Sequence, residues 1–373
     1  MAVRIGVIRE TAQGERRVAM APEVAKKLAG AGIELVIETG AGLAAGFADT
    51  AYGQASFQAD ADAVRAQADI LFAVQPPDAA TVARMRRGSV LIGALAPYRE
   101  HDLVKALRDG GITSFALELL PRTTRAQAMD ILSSQAAAAG YKAMLIAAEA
   151  APKFFPMLTT AAGTVRPSKV LVVGAGVAGL QAIATARRLG AMVEGFDVRP
   201  ETKEQIESLG ARFLDLGVSA AGEGGYAREL TAQEREQQQV ALAQHLKGID
   251  VLVTTAAVPG RPAPKIISAA MISGMKPGAV IVDLAAETGG NTELTRAGET
   301  VDSNGVRIIG PVNLPARTAT HASEMFARNL LTFAQLLVKE GALAIDFDDD
   351  LVAGSCLTHD GQIRHAPTRE AIG

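Results

Sequence analysis

The chain has 373 residues, of which 49% are hydrophobic and 21% charged, enough apolar sequence for two α/β domains with full cores. Its formal net charge of −3 argues against a nucleic-acid-binding protein, which would carry a basic surface. Cys356 is the single cysteine, so a disulfide framework and a cysteine-based zinc site are excluded, and no metal site is expected. A reducing, cytoplasmic compartment is favoured.

The first third of the chain alternates short apolar runs with helical patterns. Strands are predicted at residues 3–7, 34–37, 70–74, 90–92 and 113–116. Helices are predicted at residues 22–31, 60–68, 79–85 and 102–109. This alternation is typical of βα units that build a parallel sheet.

A polar segment at residues 121–133 leads into an alanine-rich run, which predicts a long helix at residues 134–155 that links two domains. The helix is too often interrupted by polar residues to be a membrane span. In the polar segment, Arg122 and Asp130 are near enough in sequence to pair, and a paired guanidinium is a fixed donor for a carboxamide or a phosphate. Gln127 can donate and accept at once, and Ser133 can do either. A capped helix start with a surface ion pair is the alternative.

A dinucleotide-binding fingerprint follows at residues 170–179, Val-Leu-Val-Val-Gly-Ala-Gly-Val-Ala-Gly. The aliphatic run predicts a buried parallel strand, and residues 178–189 predict the helix after it. Gly174 permits the tight turn, Gly176 lets the backbone approach a pyrophosphate, and Gly179 lets helix and strand pack closely. Val177 lies between these glycines at the helix start, where free N–H groups and the positive dipole end favour phosphate.

A second strand, predicted at residues 192–196, ends at Asp197. A carboxylate there accepts hydrogen bonds from the adenosine ribose and repels a 2′-phosphate, so NAD(H) is favoured over NADP(H). Val198 and Arg199 complete the predicted cofactor-binding strand end. Arg199 opposes the preference for NAD(H), since an arginine can bind a 2′-phosphate. Asp197 is given more weight because it lies at the strand end itself.

Residues 216–239 are glycine-rich and then strongly polar, too long for an ordinary connection. They predict either a solvated loop followed by an exposed helix or a mobile lid closed by Tyr226. Gly225 and Gln238 of this segment, and Ala257 after the next strand, are assigned to the cofactor site. Further strands are predicted at residues 251–254, 280–284 and 307–309.

The end of the chain returns to the first domain through a helix predicted at residues 322–338. Asp360-Gly361 predicts a hairpin turn, and the residues after about 367 are expected to be loose. The sequence therefore predicts an α/β protein with two Rossmann-like domains, parallel sheets and long connecting helices. The first domain comprises residues 1–133 and 320–373, and the NAD(H)-binding domain comprises residues 134–319.

The segment Arg122-Thr-Thr-Arg-Ala-Gln-Ala-Met-Asp130 resembles one family closely, the soluble NAD(H)-binding α subunit of proton-translocating nicotinamide nucleotide transhydrogenase. Nearly the whole chain is similar to that family. Four further motifs carry the resemblance: residues 15–19 (Glu-Arg-Arg-Val-Ala), 161–165 (Ala-Ala-Gly-Thr-Val), 224–227 (Gly-Gly-Tyr-Ala), and the stretch from 276–278 (Lys-Pro-Gly) to 289–291 (Gly-Gly-Asn).

The resemblance implies a role for each element of the predicted site. Arg122, Gln127, Asp130 and Ser133 would form a loop over the nicotinamide, and Tyr226 would close the lid. NADH would pass a hydride directly to NADP⁺ bound on a partner. The implied partners are a second copy in a homodimer, an NADP(H)-binding β subunit, and membrane-spanning subunits that move protons. The chain would then lie on the cytoplasmic face of the inner membrane, held there through its partners.

Alanine dehydrogenase is the related family with this architecture, and it too has an arginine in the context of Arg17. Its lysine and histidine, which hold the 2-oxo acid and move its proton, are matched here by Gln75 and Ala96. Neither replacement serves as a general acid or base near neutral pH. The alternatives to a transhydrogenase subunit are an alanine dehydrogenase-like enzyme and a non-catalytic NAD(H)-binding module. Functional roles for Arg17 and Glu287 stay open.

Overall fold

The computed structural model describes residues 2–220, 228, 230–257 and 260–373. It divides into two compact units, Met1–Gln135 with Pro315–Gly373 as unit 1 and Ala136–Leu314 as unit 2. Each unit contains a mainly parallel sheet flanked by helices, so the predicted α/β class with two Rossmann-like folds is confirmed.

Unit 1 begins with six strands separated by helices. The strands are β1 (Arg4–Val7), β2 (Glu34–Glu38), β3 (Ser56–Gln58), β4 (Ile70–Ala73), β5 (Val90–Gly93) and β6 (Thr113–Ala116). The helices are α1 (Pro22–Gly30), α2 (Ala61–Gln67), α3 (Ala79–Ala83) and α4 (His101–Asp109). A 3-10 turn at Thr124–Met129 then leads to α5 (Ile131–Ala150), which crosses into unit 2.

Unit 2 has the same alternation. Its strands are β7 (Leu158–Thr160), β8 (Gly163–Val165), β9 (Lys169–Val173), β10 (Met192–Phe196), β11 (Arg212–Phe213), β12 (Val251–Thr254), β13 (Val280–Asp283), β14 (Thr300–Ser303) and β15 (Val306–Ile309). Its helices are α6 (Val177–Arg188), α7 (Thr202–Ser208), α8 (Ala232–Leu246) and α9 (Ala269–Ser273).

The chain then completes unit 1. The remaining helices are α10 (Ala319–Leu337), α11 (Asp350–Ser355) and α12 (Ala366–Ile372). The remaining strands are β16 (Val338–Lys339), β17 (Ala342–Leu343), β18 (Cys356–His359) and β19 (Gln362–Ile363). Helix α10 packs against α1 and the 3-10 turn Thr124–Met129 and buries Phe326, Leu330, Phe333 and Leu337.

The two main sheets share one strand order. In unit 1 the order is β19-β18-β6-β5-β4-β1-β2-β3, with β1 to β6 parallel and β18 and β19 antiparallel additions. In unit 2 it is β11-β10-β9-β12-β13-β15-β14, with only β14 antiparallel. Strand order reverses between β1 and β4 in unit 1 and between β9 and β12 in unit 2. In open α/β sheets, ligands bind at such reversal points, outside the carboxyl ends of the strands.

Of two predictions about the carboxyl-terminal region, the structure confirms one and contradicts the other. The hairpin at Asp360-Gly361 is confirmed: both residues have positive φ, 49° and 70°, as a two-residue turn between β18 and β19 requires. The expectation of a loose tail after residue 367 is wrong, because those residues form α12. Thr368 is 1% exposed, and its hydroxyl lies 2.7 Å from His365 Nδ1.

The long linking helix ends earlier than predicted. It stops at Ala150, two residues before Pro152, because the residue before a proline is disfavoured in helical conformation. Within this helix, Gly140 lies against the backbone of α6: a Cβ built there would be 2.0 Å from the carbonyl oxygen of Ala178.

Substitution of Gly140 tests this approach. Gly140→Ala should lower the free energy of unfolding by about 1–3 kcal/mol, the usual cost of overpacking, because a backbone carbonyl cannot yield easily. Denaturant titration followed by circular dichroism measures it. Gly30→Ala is the matched control, since a Cβ built there meets no other part of the described chain within 4 Å and alanine favours helix by about 1 kcal/mol over glycine. Equal stabilities for both variants would contradict the close approach.

Candidate functional site

The glycine-rich turn of unit 2 follows β9 at the reversal point of the sheet. Gly174 has φ +95°, a conformation that favours glycine, and its N–H donates to Phe196 O at 2.8 Å. A Cβ on Gly179 would be 1.8 Å from Gly174 O, so no side chain fits there. By contrast, a Cβ on Gly176 would meet no atom of the described residues within 4 Å. The turn therefore leaves open space beside Gly176, at the start of α6, where an anion would meet free backbone N–H groups.

Asp197 lies at the end of β10 and is 9% exposed. Its Oδ2 accepts from Ala175 N at 2.7 Å and from Arg199 Nη2 at 2.8 Å, and its Oδ1 accepts from Arg199 N and Nε, each at 2.9 Å. Burial by itself would raise the pKa of Asp197, but the hydrogen bonds from Arg199 and Ala175 outweigh burial and lower it. The carboxylate is thus ionised and ties the glycine turn to the end of the neighbouring strand.

The turn after β12 forms the other wall of this site. Thr255 Oγ1 donates to Gly174 O at 3.0 Å, and Ala256 exchanges two hydrogen bonds with the side chain of Asn291, at 2.7 and 3.0 Å. Asn291 is fully buried, and its N–H donates to Asp283 Oδ2 at 2.7 Å. We did not identify Thr255, Asn291 or Asp283 as site residues from the sequence, although Asn291 closes one of the motifs.

Other predicted cofactor residues of unit 2 lie around these turns. Val177 is 43% exposed at the first position of α6, and Ala257 is exposed after β12. Val198 is half-buried beside Asp197, and its carbonyl accepts from Ala220 N at 2.7 Å. Glu287 is exposed on the short turn Ala286–Thr288, where it has no described role.

The lid residues Gly225 and Tyr226 lie outside the described residues. The helix that follows them, α8, begins with a capping box in which Thr231 and Glu234 satisfy each other's backbone N–H groups. Most of its first turns are exposed, but Gln238 is only 6% exposed.

The segment predicted to contact nicotinamide lies in unit 1 between β6 and α5. Arg122 and Gln127 are exposed, whereas Ala126 and Met129 are buried and anchor the 3-10 turn. Asp130 begins α5: its Oδ1 accepts from Ser133 N at 2.9 Å and its Oδ2 from Ser133 Oγ at 2.5 Å. The predicted pairing of Arg122 with Asp130 stays a prediction.

The reversal point of unit 1 is filled by the protein's own polar side chains. Arg17 Nε and Nη2 donate to the two oxygens of Glu15 at 2.9 and 2.7 Å, and both side chains are nearly inaccessible. Gln75, after β4, donates to Glu15 at 2.7 Å, and Gln135 accepts from Arg17 at 2.9 Å. Burial alone would raise the pKa of Glu15, but Arg17 outweighs it and lowers the pKa to about 2. Arg17 is therefore a structural ion-pair partner of Glu15 in this state.

Two carboxyl groups that we did not select from the sequence lie near Gln75 and Ala96. Glu10 accepts from Val74 N at 2.6 Å and from Gln75 N at 3.3 Å, and burial raises its pKa to about 7. Glu118 accepts from Ala96 N at 2.7 Å and holds that residue at φ +46°, and burial raises its pKa. The sequence signal for Glu10 and Glu118 was weak, because each carboxyl group accepts from a backbone N–H far away in sequence.

No helix among the described residues is both long and apolar enough to cross a membrane. In the same portion of the chain, no group of three or more histidine, cysteine, aspartate or glutamate residues is arranged to hold a metal ion.

Comparisons with known proteins match the whole architecture. Two family models, Alanine dehydrogenase/PNT, N-terminal domain, and Alanine dehydrogenase/PNT, C-terminal domain, match residues 6–139 and 143–366. The chain is 45% identical to the first of the alpha-subunit chains of the NAD(P) transhydrogenase of Rhodospirillum rubrum, over 97% of this chain and 98% of that protein. It is 44% identical to the NAD(P) transhydrogenase subunit alpha of Cereibacter sphaeroides, over 98% of this chain and 72% of that protein.

Two solved structures are similar over nearly the full length. A transhydrogenase from Sinorhizobium meliloti has a TM-score of 0.88 and 43% identity, covering 96% of this chain and 99% of its own. An L-alanine dehydrogenase has a TM-score of 0.82 and 26% identity, covering 99% and 98%. The architecture is thus common to both kinds of protein, and only the site residues can distinguish them.

The two glycines of the turn should respond differently to alanine. Gly176→Ala should leave the free energy of unfolding within about 0.5 kcal/mol of the unsubstituted chain, because its Cβ meets open space. It should weaken NADH binding at least tenfold, because the methyl group fills that space. Gly179→Ala should destabilise the fold itself, since its Cβ overlaps Gly174 O. Calorimetric titration and thermal melting measure both effects, and unchanged NADH affinity in Gly176→Ala would contradict a phosphate position there.

Glu10 should make stability depend on pH. Its pKa is about 7 in the folded chain against 4.5 for an unperturbed glutamate. The contribution of Glu10 to the free energy of unfolding is therefore most favourable below about pH 4.5, and it is lost as the pH rises through 7. The difference amounts to about 3 kcal/mol at 1.4 kcal/mol per pKa unit. Glu10→Gln should flatten the pH dependence of denaturant unfolding between pH 5 and 8, whereas Glu207→Gln, an exposed control, should not. Identical pH profiles for both variants would refute this assignment.

Proposed function

Because the chain belongs to the alanine dehydrogenase/PNT family, we propose that it is the NAD(H)-binding component of a proton-translocating NAD(P) transhydrogenase. The observation that supports this most strongly is the pair of unlike reversal points. Unit 2 keeps an open glycine turn, with Asp197 at the next strand end, as a dinucleotide requires. Unit 1 has its equivalent position filled by Glu15 and Arg17.

The filled position in unit 1 argues against an amino-acid dehydrogenase. Such an enzyme needs a site for a 2-oxo acid and a group that moves its proton. Arg17 already holds Glu15, Gln75 is bonded to the same carboxylate, and Ala96 has no titratable group. A hydride transfer between two nicotinamides needs neither feature.

When bound, NADH would supply a hydride to NADP⁺ held by the partner subunit. The residues of this chain position the nicotinamide and exclude water. We propose that Arg122, Gln127, Asp130 and Ser133 contact the nicotinamide end, and that Gly174, Gly176, Val177, Gly179, Asp197, Val198, Arg199, Gln238 and Ala257 bind the rest of the dinucleotide. Tyr226 and Gly225 act as the lid.

The subunit arrangement belongs to the same proposal. The Rhodospirillum rubrum and Cereibacter sphaeroides relatives are both named as alpha subunits, which supports a multisubunit assembly. We propose a homodimer that meets an NADP(H)-binding β subunit, with membrane-spanning subunits carrying the proton. The chain then lies on the cytoplasmic face of the inner membrane, attached through these partners.

Reconstitution tests the function directly. The purified chain, mixed with an NADP(H)-binding β subunit, should transfer hydride from NADH to an NADP⁺ analogue, and neither component should do so alone. Absorbance of the reduced analogue measures the rate. NADH production from alanine by the chain alone would overturn the proposal and support the dehydrogenase alternative. Binding of NADH without transfer in the complete mixture would leave a non-catalytic module.

The loop should matter to the transfer rate more than to binding. Asp130→Asn should lower the single-turnover rate about 100-fold, because the NH2 group that replaces Oδ2 cannot accept from Ser133 Oγ and small displacements of the loop cost that much. NADH affinity should change much less. Asp102→Asn, an exposed control on α4, should behave as the unsubstituted chain. A normal rate for Asp130→Asn would remove this loop from the mechanism.

A further inference from the structure

One buried amide ties together the two ends of the segment Ala128–Ser134. Asn329, on helix α10, is 8% exposed. Its Nδ2 donates to Ala128 O at 2.9 Å, and its Oδ1 accepts from Ser134 Oγ at 2.7 Å. One side chain therefore holds the end of the 3-10 turn and the beginning of α5 at a fixed separation.

Asp130 and Ser133 lie between the two points that Asn329 holds. Both oxygens of Asp130 accept hydrogen bonds from Ser133, so the segment is held by bonds within it as well as by Asn329 at its two ends. Gln127, on the exposed side of the 3-10 turn, directly precedes the first of these points. A displacement of either point would move the side chains proposed to contact nicotinamide.

Helix α10 is a rigid support for this tie. Its inward face is otherwise largely apolar and fully buried, with Phe326, Leu330 and Phe333 each at most 1% exposed. A second bond joins the helix to the same region, since Gln135 Nε2 donates to Ala322 O at 3.1 Å. Packed helices resist small deformations, so the position of Asn329 is well determined.

The choice of asparagine needs an explanation, because leucine would fill a buried position on this helix at lower desolvation cost. An amide can donate to a carbonyl and accept from a hydroxyl at the same time. Leucine can do neither, and aspartate loses the donor and places a carboxylate oxygen against Ala128 O. Both changes leave Ala128 O without this donor.

We propose that Asn329 is a positioning residue for the nicotinamide-contacting loop, acting through Ala128 and Ser134 and not by contact with either dinucleotide. This inference rests on the proposed function. It implies that Asn329 affects the rate of hydride transfer and leaves dinucleotide affinity nearly unchanged, because most of the NADH contacts are assigned to other residues. A loop moved by about 1 Å is expected to lose up to about 100-fold in rate.

The test compares Asn329→Leu and Asn329→Asp with Gln335→Leu, which removes an exposed amide from the same helix. In the reconstituted mixture, both Asn329 variants should transfer hydride at least tenfold more slowly, with NADH dissociation constants within about threefold of the unsubstituted chain. Gln335→Leu should change neither. Ser134→Ala added to Asn329→Leu should cause no further loss, because both substitutions break the same tie.

Hydrogen exchange of the chain alone gives a second readout that does not depend on hydride transfer. Exchange in the peptide covering residues 122–134 should accelerate in Asn329→Leu, while exchange in β4 and β5 stays at the unsubstituted rate. Uniform acceleration throughout unit 1 would indicate a purely structural role and overturn the inference. So would a normal transfer rate in both Asn329 variants. If the unsubstituted chain transfers no hydride, the proposed function fails, and the exchange result still decides whether Asn329 holds this loop.

Discussion

Buried carboxylates at the strand ends support the rest of this structure. A parallel strand that ends at a ligand-binding edge leaves backbone N–H groups without partners in the sheet, and burying them unpaired costs free energy. Glu10 accepts such groups after β4, Asp197 after β9 and Asp283 after β13. At the opposite edge, Asp69 and Asp250 accept from the first residues of the central strands, Arg4 and Lys169. Asp69 in unit 1 and Asp250 in unit 2 thus occupy equivalent positions and accept equivalent backbone hydrogen bonds.

This constraint explains the difference between the two reversal points. In unit 2, Asp197 accepts from the turn with one oxygen and from Arg199 with both, and among the described residues no atom occupies the space beside Gly176. In unit 1, the carboxylate of Glu15 lies within the reversal point and meets Arg17. The same strand order therefore yields one open position and one closed position. The side chains in the segments that follow the strands, more than the sheet, decide which of the two is formed.

How much could be predicted from the sequence depended on the range of the interactions. An apolar run predicted β12 with its observed bounds, the position of residues 192–196 before Asp197 predicted β10 with its observed bounds, and the glycine spacing located the turn after β9. The short strands β3 and β11 and the antiparallel edge strand β14 were missed, because their polar residues carry no apolar run. Asn329 could not be identified, since its partners are set by tertiary packing; Asn329 and Ala128 are separated by 201 residues in sequence.

The discontinuous course of unit 1 has a consequence for how the chain is made. Unit 2 is a single continuous stretch, so all of its strands have left the ribosome once Leu314 has emerged. Unit 1 at that moment still lacks α10, which buries much of its core, and β18, which pairs with β6. Domains generally fold as units during synthesis. Unit 2 can therefore complete its fold before unit 1, although unit 1 contains the first residues of the chain to be synthesised.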